Sequence, residues 1–207
     1  MTFSERYPLP PFQSTDPEKL NAVMRRCPLA TVISQQSRFP MVSQVPLVLS
    51  DNGKALRGHL DRNNPHCALI EKGGPIYCMF SGPNHYMSPS IYPDSQYPGW
   101  NYVAVHVEGT VIAHSDSAWL TDLLLQTADE NEQVDSTYTL TPAQDRFESL
   151  LDYILGFEIE VSDRRGILKL AQDKGSHHAG VARDHLASVM RQDITEFLDE
   201  MLQVENE

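Results

Sequence analysis

Tyr102-Val103-Ala104-Val105-His106-Val107-Glu108 opens a segment that runs on to Ala113. Val103, Val105 and Val107 fall on one side of it, and Tyr102, Ala104, His106 and Glu108 on the other. A period of two belongs to a strand with one face on a core and the other turned outward.

Further strand signals lie on both sides of this stretch. Before it come an apolar, β-branched run at residues 29–34 and a partly alternating run at 41–49. An Asp51-Asn52-Gly53 turn signal then leads into a strand at 55–60. Residues 75–80 form a compact apolar strand, and 81–99 read as a long loop rich in Pro, Ser and Tyr. After it, strands at 156–161 and 166–171 flank a turn at Asp163-Arg164-Arg165-Gly166. The helices are short. One is opened by Ser14 or Thr15, with a stripe of Leu20, Val23 and Met24. Others cover 64–71, stopped by Gly73-Gly74, then 117–126 and 142–153. A final helix at 182–202 carries Leu186, Met190, Ile194, Phe197, Leu198 and Met201 at spacings of three and four. Residues 1–14 form a Pro-rich arm, and 129–141 a polar loop. About seven strands without regularly alternating long helices exclude a doubly wound parallel sheet. They predict a mainly β, α+β domain built as an antiparallel barrel.

Length and composition fit one globular domain over 1–207, with the barrel core at 27–174: 207 residues, 41% hydrophobic and 21% charged. The 28 acidic residues outnumber 16 basic ones, for a net charge of −12, and basic residues cluster only as the pairs Arg25-Arg26 and Arg164-Arg165. Direct nucleic-acid binding is disfavoured by that balance. Three cysteines without a CxxC pair argue against a disulfide framework or structural zinc, and Cys27 and Cys78 read as core residues. The sequence shows no secretory signal and no apolar run of membrane-spanning length, so the expected location is the cytoplasm. GxGxxG, Walker, GxSxG and HExxH motifs are absent, and the eight histidines have no metal-ligand spacing.

Three segments carry polar density beside apolar strands. Arg57-Gly58-His59-Leu60-Asp61-Arg62-Asn63-Asn64 runs from a strand into a helix start, where free N–H groups and two arginines suit a phosphate and a glycine admits close approach. The same residues would equally make an ordinary cap by Asn63 with two solvated arginines. The loop from Phe80 to Tyr102, with His85, Ser88, Trp100 and Asn101, offers aromatic and amide groups for a planar ring, or a rigid plug of a barrel end. Lys169 and Gln172 could meet an anionic ring edge, or simply end a strand in solvent.

Leu56-Arg57-Gly58-His59-Leu60, Asn64-Pro65, Phe80-Ser81-Gly82-Pro83, Tyr86-Met87-Ser88-Pro89, Trp100-Asn101-Tyr102-Val103-Ala104-Val105-His106, Gly156-Phe157-Glu158-Ile159 and Lys169-Leu170-Ala171-Gln172 occur in that order. Together they resemble the PaiB-like family of FMN-binding proteins. That resemblance implies a split β-barrel of the FMN-binding type, related to flavin reductases, with flavin sites at a homodimer interface. It implies FMN as cofactor and NAD(P)H as a possible electron donor. It assigns Arg57, Gly58, His59, Asn63 and Asn64 to the phosphate and ribityl end. His85, Ser88, Trp100, Asn101, Lys169 and Gln172 would surround the ring. Family members described as regulators of protease production and sporulation keep a regulator or sensor without turnover open. Related barrels that use a histidine as iron ligand keep a haem-binding alternative open.

Overall fold

The computed structural model describes residues 7–132 and 136–189. Its strands are β1 (Gln13–Ser14), β2 (Leu29–Ser34), β3 (Met41–Pro46), β4 (Val48–Leu49), β5 (Ala55–Asp61), β6 (Gly74–Met87), β7 (Gly99–His114) and β8 (Ile154–Lys169). The helices are α1 (Pro17–Arg26), α2 (Cys67–Lys72), α3 (Ser117–Asn131), α4 (Phe147–Asp152) and α5 (Gly175–Val189). All strand pairs are antiparallel. The sheet runs β3-β2-β6-β7-β8-β5-β4, with β1 added to β8. Its two edges, β3 and β4, are consecutive in the chain and separated only by Leu47, yet no ladder joins them. The sheet therefore curls into a barrel that stays split along one seam.

The interior explains the alternation. Val105 and Val107 of β7, Phe80 and Cys78 of β6, Val32 of β2, Leu56 of β5 and Phe157 and Ile159 of β8 are all buried. Leu20 and Met24 of α1 close one side of the same cluster. Fully burying side chains of this size contributes about 1.5–3 kcal/mol each. Asp16 caps α1 by accepting from the Glu18 N–H at 3.0 Å, so the helix starts later than Ser14 or Thr15. Arg164 ties α1 to the 51–53 turn: its Nη1 donates to Asn21 Oδ1 at 2.6 Å and to Gly53 O at 2.9 Å.

Several expected boundaries change. Residues 81–87 and 99–101 are strand, not loop, because Asn84, His85, Tyr86 and Met87 pair with Tyr102, Asn101, Trp100 and Gly99 beyond a bulge at Gly82-Pro83. Only 88–98 remains a connection, with a 3₁₀ turn at Pro89–Ile91. Asp163-Arg164-Arg165-Gly166 is no turn. β8 runs through it, with Ser162 as a bulge whose Oγ donates to Glu108 O at 3.0 Å. Arg165 is held there, buried, by Asp163 and Glu108 at 2.9 Å each. The helix expected at 142–153 is confined to α4, because Arg146 adopts a left-handed backbone with φ 67°. α3 reaches Asn131 and shortens the polar loop. The last helix begins at Gly175, and its expected part beyond Val189 lies outside the described residues, as does the arm before Tyr7. Cys78 is fully buried, with its thiol pushed up to about 12 by desolvation, whereas Cys27 is only half-buried.

Candidate functional site

The β5–α2 corner is built by short-range side-chain bonds. Asp61 Oδ1 accepts from the Asn63 N–H at 2.7 Å and from Asn63 Nδ2 at 2.9 Å. Asn64, not Asn63, prepares the helix start: its Oδ1 accepts from the His66 N–H at 2.9 Å and its Nδ2 donates to Ser43 Oγ at 3.2 Å. His66, which sequence reasoning passed over, is fully buried. Its Nδ1 lies 3.0 Å from Ser43 Oγ and its Nε2 2.8 Å from Ser34 Oγ. Burial holds this imidazole below its usual pKa, so one ring nitrogen donates and the other accepts. The corner is thus pinned to β2 and β3, and Arg62 and Asn63 are left at the surface.

The strand residues leading into the corner are committed differently from what their types suggest. The Nε of Arg57 donates to Glu158 at 2.9 Å and its Nη1 to Asp122 at 3.2 Å, and the guanidinium sits 5.5 Å over the Trp119 ring. A phosphate would have to displace two carboxylates to reach it. Gly58 faces inward, and a Cβ there would lie 2.6 Å from Leu47 Cδ2 and 3.1 Å from Phe157 Cζ. The glycine serves barrel packing rather than ligand approach. His59 is half-buried opposite Gly156, its pKa lowered by desolvation. Arg62 donates from Nη2 to the neutral Ser115 Oγ at 3.3 Å.

A second group gathers at the other end of β8. A cavity of about 270 Å³ is lined by Trp100, Asn101 and Lys169, together with Tyr92, Tyr97 and Lys174. Asn101 is 6% exposed, and its Nδ2 is a buried donor with no hydrogen-bond partner among the described residues. Leaving such a donor unpaired costs about 1–3 kcal/mol, so a group that supplies an acceptor gains that amount. Trp100 is half-exposed, and its Nε1 donates to Asn84 Oδ1 at 3.4 Å. The other ring-end candidates turn elsewhere. Ser88 caps the 3₁₀ turn by accepting from the Ser90 N–H, and His85 stands beside His185 with ring centroids 5.6 Å apart. Gln172 folds back, its Oε1 accepting from the Leu170 N–H and its Nε2 donating to Leu168 O.

These two groups lie far apart along β8. His59 pairs with Gly156 and Tyr102 with Lys169, so thirteen residues of β8 separate them. At about 3.3 Å per residue the path along the strand is about 43 Å, which is the upper bound on their separation in the curled sheet.

Residues 6–163 match the family described as "Putative FMN-binding domain". The chain belongs to this family. FMN is the family's cofactor, and the matched segment contains the β5–α2 corner, Trp100 and Asn101, but ends before Lys169 and Lys174. Protease synthase and sporulation protein PAI 2 of Bacillus subtilis is 26% identical over 166 residues, 79% of this chain and 80% of that one. The flavocytochrome Anf3 of Azotobacter vinelandii superposes with a TM-score of 0.59 at 16% identity, over 76% of this chain and 69% of that one. An FAD and heme binding protein of Mycobacterium smegmatis gives 0.55 at 17% identity, over 76% and 73%. Both structural likenesses are of fold, and they agree with the open split barrel seen here. Among the described residues no helix is long and apolar enough to cross a membrane.

Proposed function

We propose that the protein is a cytoplasmic homodimeric FMN-dependent oxidoreductase of the flavin-reductase kind, with each flavin held between two subunits. The orphaned Asn101 amide carries this reading. Asn101 lines the cavity beside Trp100 and Lys169, its Nδ2 is a buried donor, and a turn of the amide toward the cavity would give that donor the acceptor-rich edge of a flavin ring. The phosphate end is assigned to the β5–α2 corner of the facing subunit, where Arg62 and Asn63 are presented outward with His59, Arg57, Gly58 and Asn64 behind them. When bound, the flavin supplies the electron and hydride chemistry. Arg62 would fix the phosphate, Asn101 would orient the ring edge, and Lys169 would favour negative charge on it.

The placing of the two groups far apart along β8 suits a shared site, and the outer sheet face offers a surface for a second copy. Leu29 and Val42 are half-exposed there, Ile33 lies opposite Val42 and Met79 opposite Thr31, and the Thr31–Gln44 pair sits between the two ends. A symmetric dimer would cover the apolar residues of this face.

The test is purification followed by an absorption spectrum, light scattering and an NAD(P)H oxidation assay. The expected outcome is flavin bands, a mass twice 23.3 kDa and turnover. A monomer, or a Soret band in place of flavin bands, would sink the proposal. Bound FMN without NAD(P)H oxidation would leave the regulator or sensor alternative.

A further inference from the structure

The cavity at the end of β8 has a second wall that the flavin reading does not use. Tyr92 is buried at 8% exposure, and the Lys174 ammonium lies 4.9 Å over its ring. The same ring stands 5.3 Å from His178, whose Nε2 is 2.7 Å from Asp94 Oδ1. Lys174 is therefore seated by packing instead of swinging freely in solvent. Ala171, with φ 66°, makes the left-handed step that brings Lys174 back beside Lys169 on the cavity wall. Two lysines against the single carboxylate of Asp173 give this cavity a positive balance in a chain of net charge −12. Such a local field concentrates anions against the global charge. The cavity measures about 270 Å³, and Tyr92, Tyr97 and Trp100 supply flat faces. Sites for drug-sized ligands start at about 300 Å³, so this one suits one or two fused rings and not a whole nucleotide. Lys169, Asp173 and Lys174 also follow the family segment, which ends at residue 163.

We infer that Lys174 selects the substrate of this site, and that the substrate class is a planar aromatic carboxylate whose anionic group pairs with Lys174 while its ring lies among Tyr92, Tyr97 and Trp100. The inference rests on the flavin reading only in calling this ligand the substrate. The binding itself can be read without flavin.

The test compares naphthalene-2-carboxylate with the neutral naphthalene-2-carboxamide, and adds inorganic phosphate as an anion without a ring. Binding to FMN-loaded protein is followed by the flavin band shift. Binding to flavin-free protein is followed by Trp100 fluorescence in a Trp119→Phe background, which removes the other tryptophan. The carboxylate should bind about tenfold tighter than the amide at low salt, with the gap narrowing as salt rises. Lys174→Gln should erase that gap, Lys174→Arg should keep most of it, and FMN affinity should change less than about twofold in both. Equal binding of acid and amide by the wild type would overturn the inference. So would equal loss of both in Lys174→Gln, phosphate competing as well as the carboxylate, or FMN loosening in parallel. Failure of the wild type to take up FMN would defeat the flavin reading alone, because the Trp100 titration would still decide the role of Lys174.

Discussion

A site divided between subunits can be repaired by mixing two broken proteins. Arg62→Glu places a carboxylate where the phosphate is assigned, and Lys169→Glu does so at the ring end. Losing a charge-assisted contact costs about 1.5–3 kcal/mol, so each homodimer should bind FMN about ten- to a hundredfold more weakly than the wild type. Division of the site between subunits then fixes the stoichiometry of a mixed dimer. One of its sites would take a native Arg62 from one subunit and a native Lys169 from the other, while the second site would carry both lesions. A heterodimer isolated through two different affinity tags should therefore keep about one FMN site of native affinity, against about two in the wild-type dimer. Equilibrium dialysis at an FMN concentration near the wild-type Kd reads the difference: the mixed dimer should hold about half as much FMN as the wild type, and each parent less than about a fifth as much. If the mixed dimer binds no more FMN than either parent, both ends serve one subunit and the shared site is wrong. If both parents bind normally, the residue assignments are wrong.

Arg57→Ala should lower stability by about 1 kcal/mol, a fall of about 2–4 °C in Tm, through loss of the Glu158 and Asp122 pairs. The ratio of FMN to riboflavin affinity should not change, and a selective loss of FMN would return Arg57 to the phosphate. Gly58→Ala forces a Cβ to within 2.6 Å of Leu47 Cδ2 and should cost about 1–3 kcal/mol by overpacking, read as a drop in the denaturant midpoint. An unchanged midpoint would show that the barrel interior has slack at that point. His59, His66 and His106 all have pKa values lowered by burial, His106 also by the nearby Arg165. The unfolded chain then takes up protons first as pH falls below about 6.5, so stability should be flat above that pH and decline beneath it. His66→Gln should flatten the decline in a series of melts from pH 8 to 5, and an identical slope would exclude His66 as a contributor.

The fold was legible wherever the pattern was local. Residues 29–34 form β2 as read, and the alternation of Val103, Val105 and Val107 marked the long strand β7. The errors came where distant partners override composition. Tyr86 and Trp100 look like loop residues until each is seen opposite the other across a bulge. Asp163-Arg164-Arg165-Gly166 has turn chemistry, but Glu108 lies across from Asp163 and pairs with Arg165, which keeps the strand paired past the Ser162 bulge. At the candidate site, Asn101 and Lys169 were named from residue type and order, and the fold brings both to the wall of one cavity. Lys174, at the end of the segment that starts with Lys169, was given no role, because its return to the cavity depends on the left-handed backbone at Ala171, which an alanine does not advertise. His66 was missed because its partners, Ser34 and Ser43, lie on other strands at no characteristic spacing.

Strand β8 has a consequence for the order in which the chain acquires its shape. The β2–β3 and β6–β7 hairpins join neighbours in sequence, but Ala55 meets Glu160 only after 105 further residues have been made. During synthesis, β5 and β7 must wait with open edges until β8 emerges and joins them to each other and to β1. Closing so long a loop is slow, and an unpaired strand edge recruits any strand that comes near. A nascent chain stalled before Ile154 would thus expose two templates for strand addition, and its fate would be set by how soon β8 leaves the ribosome.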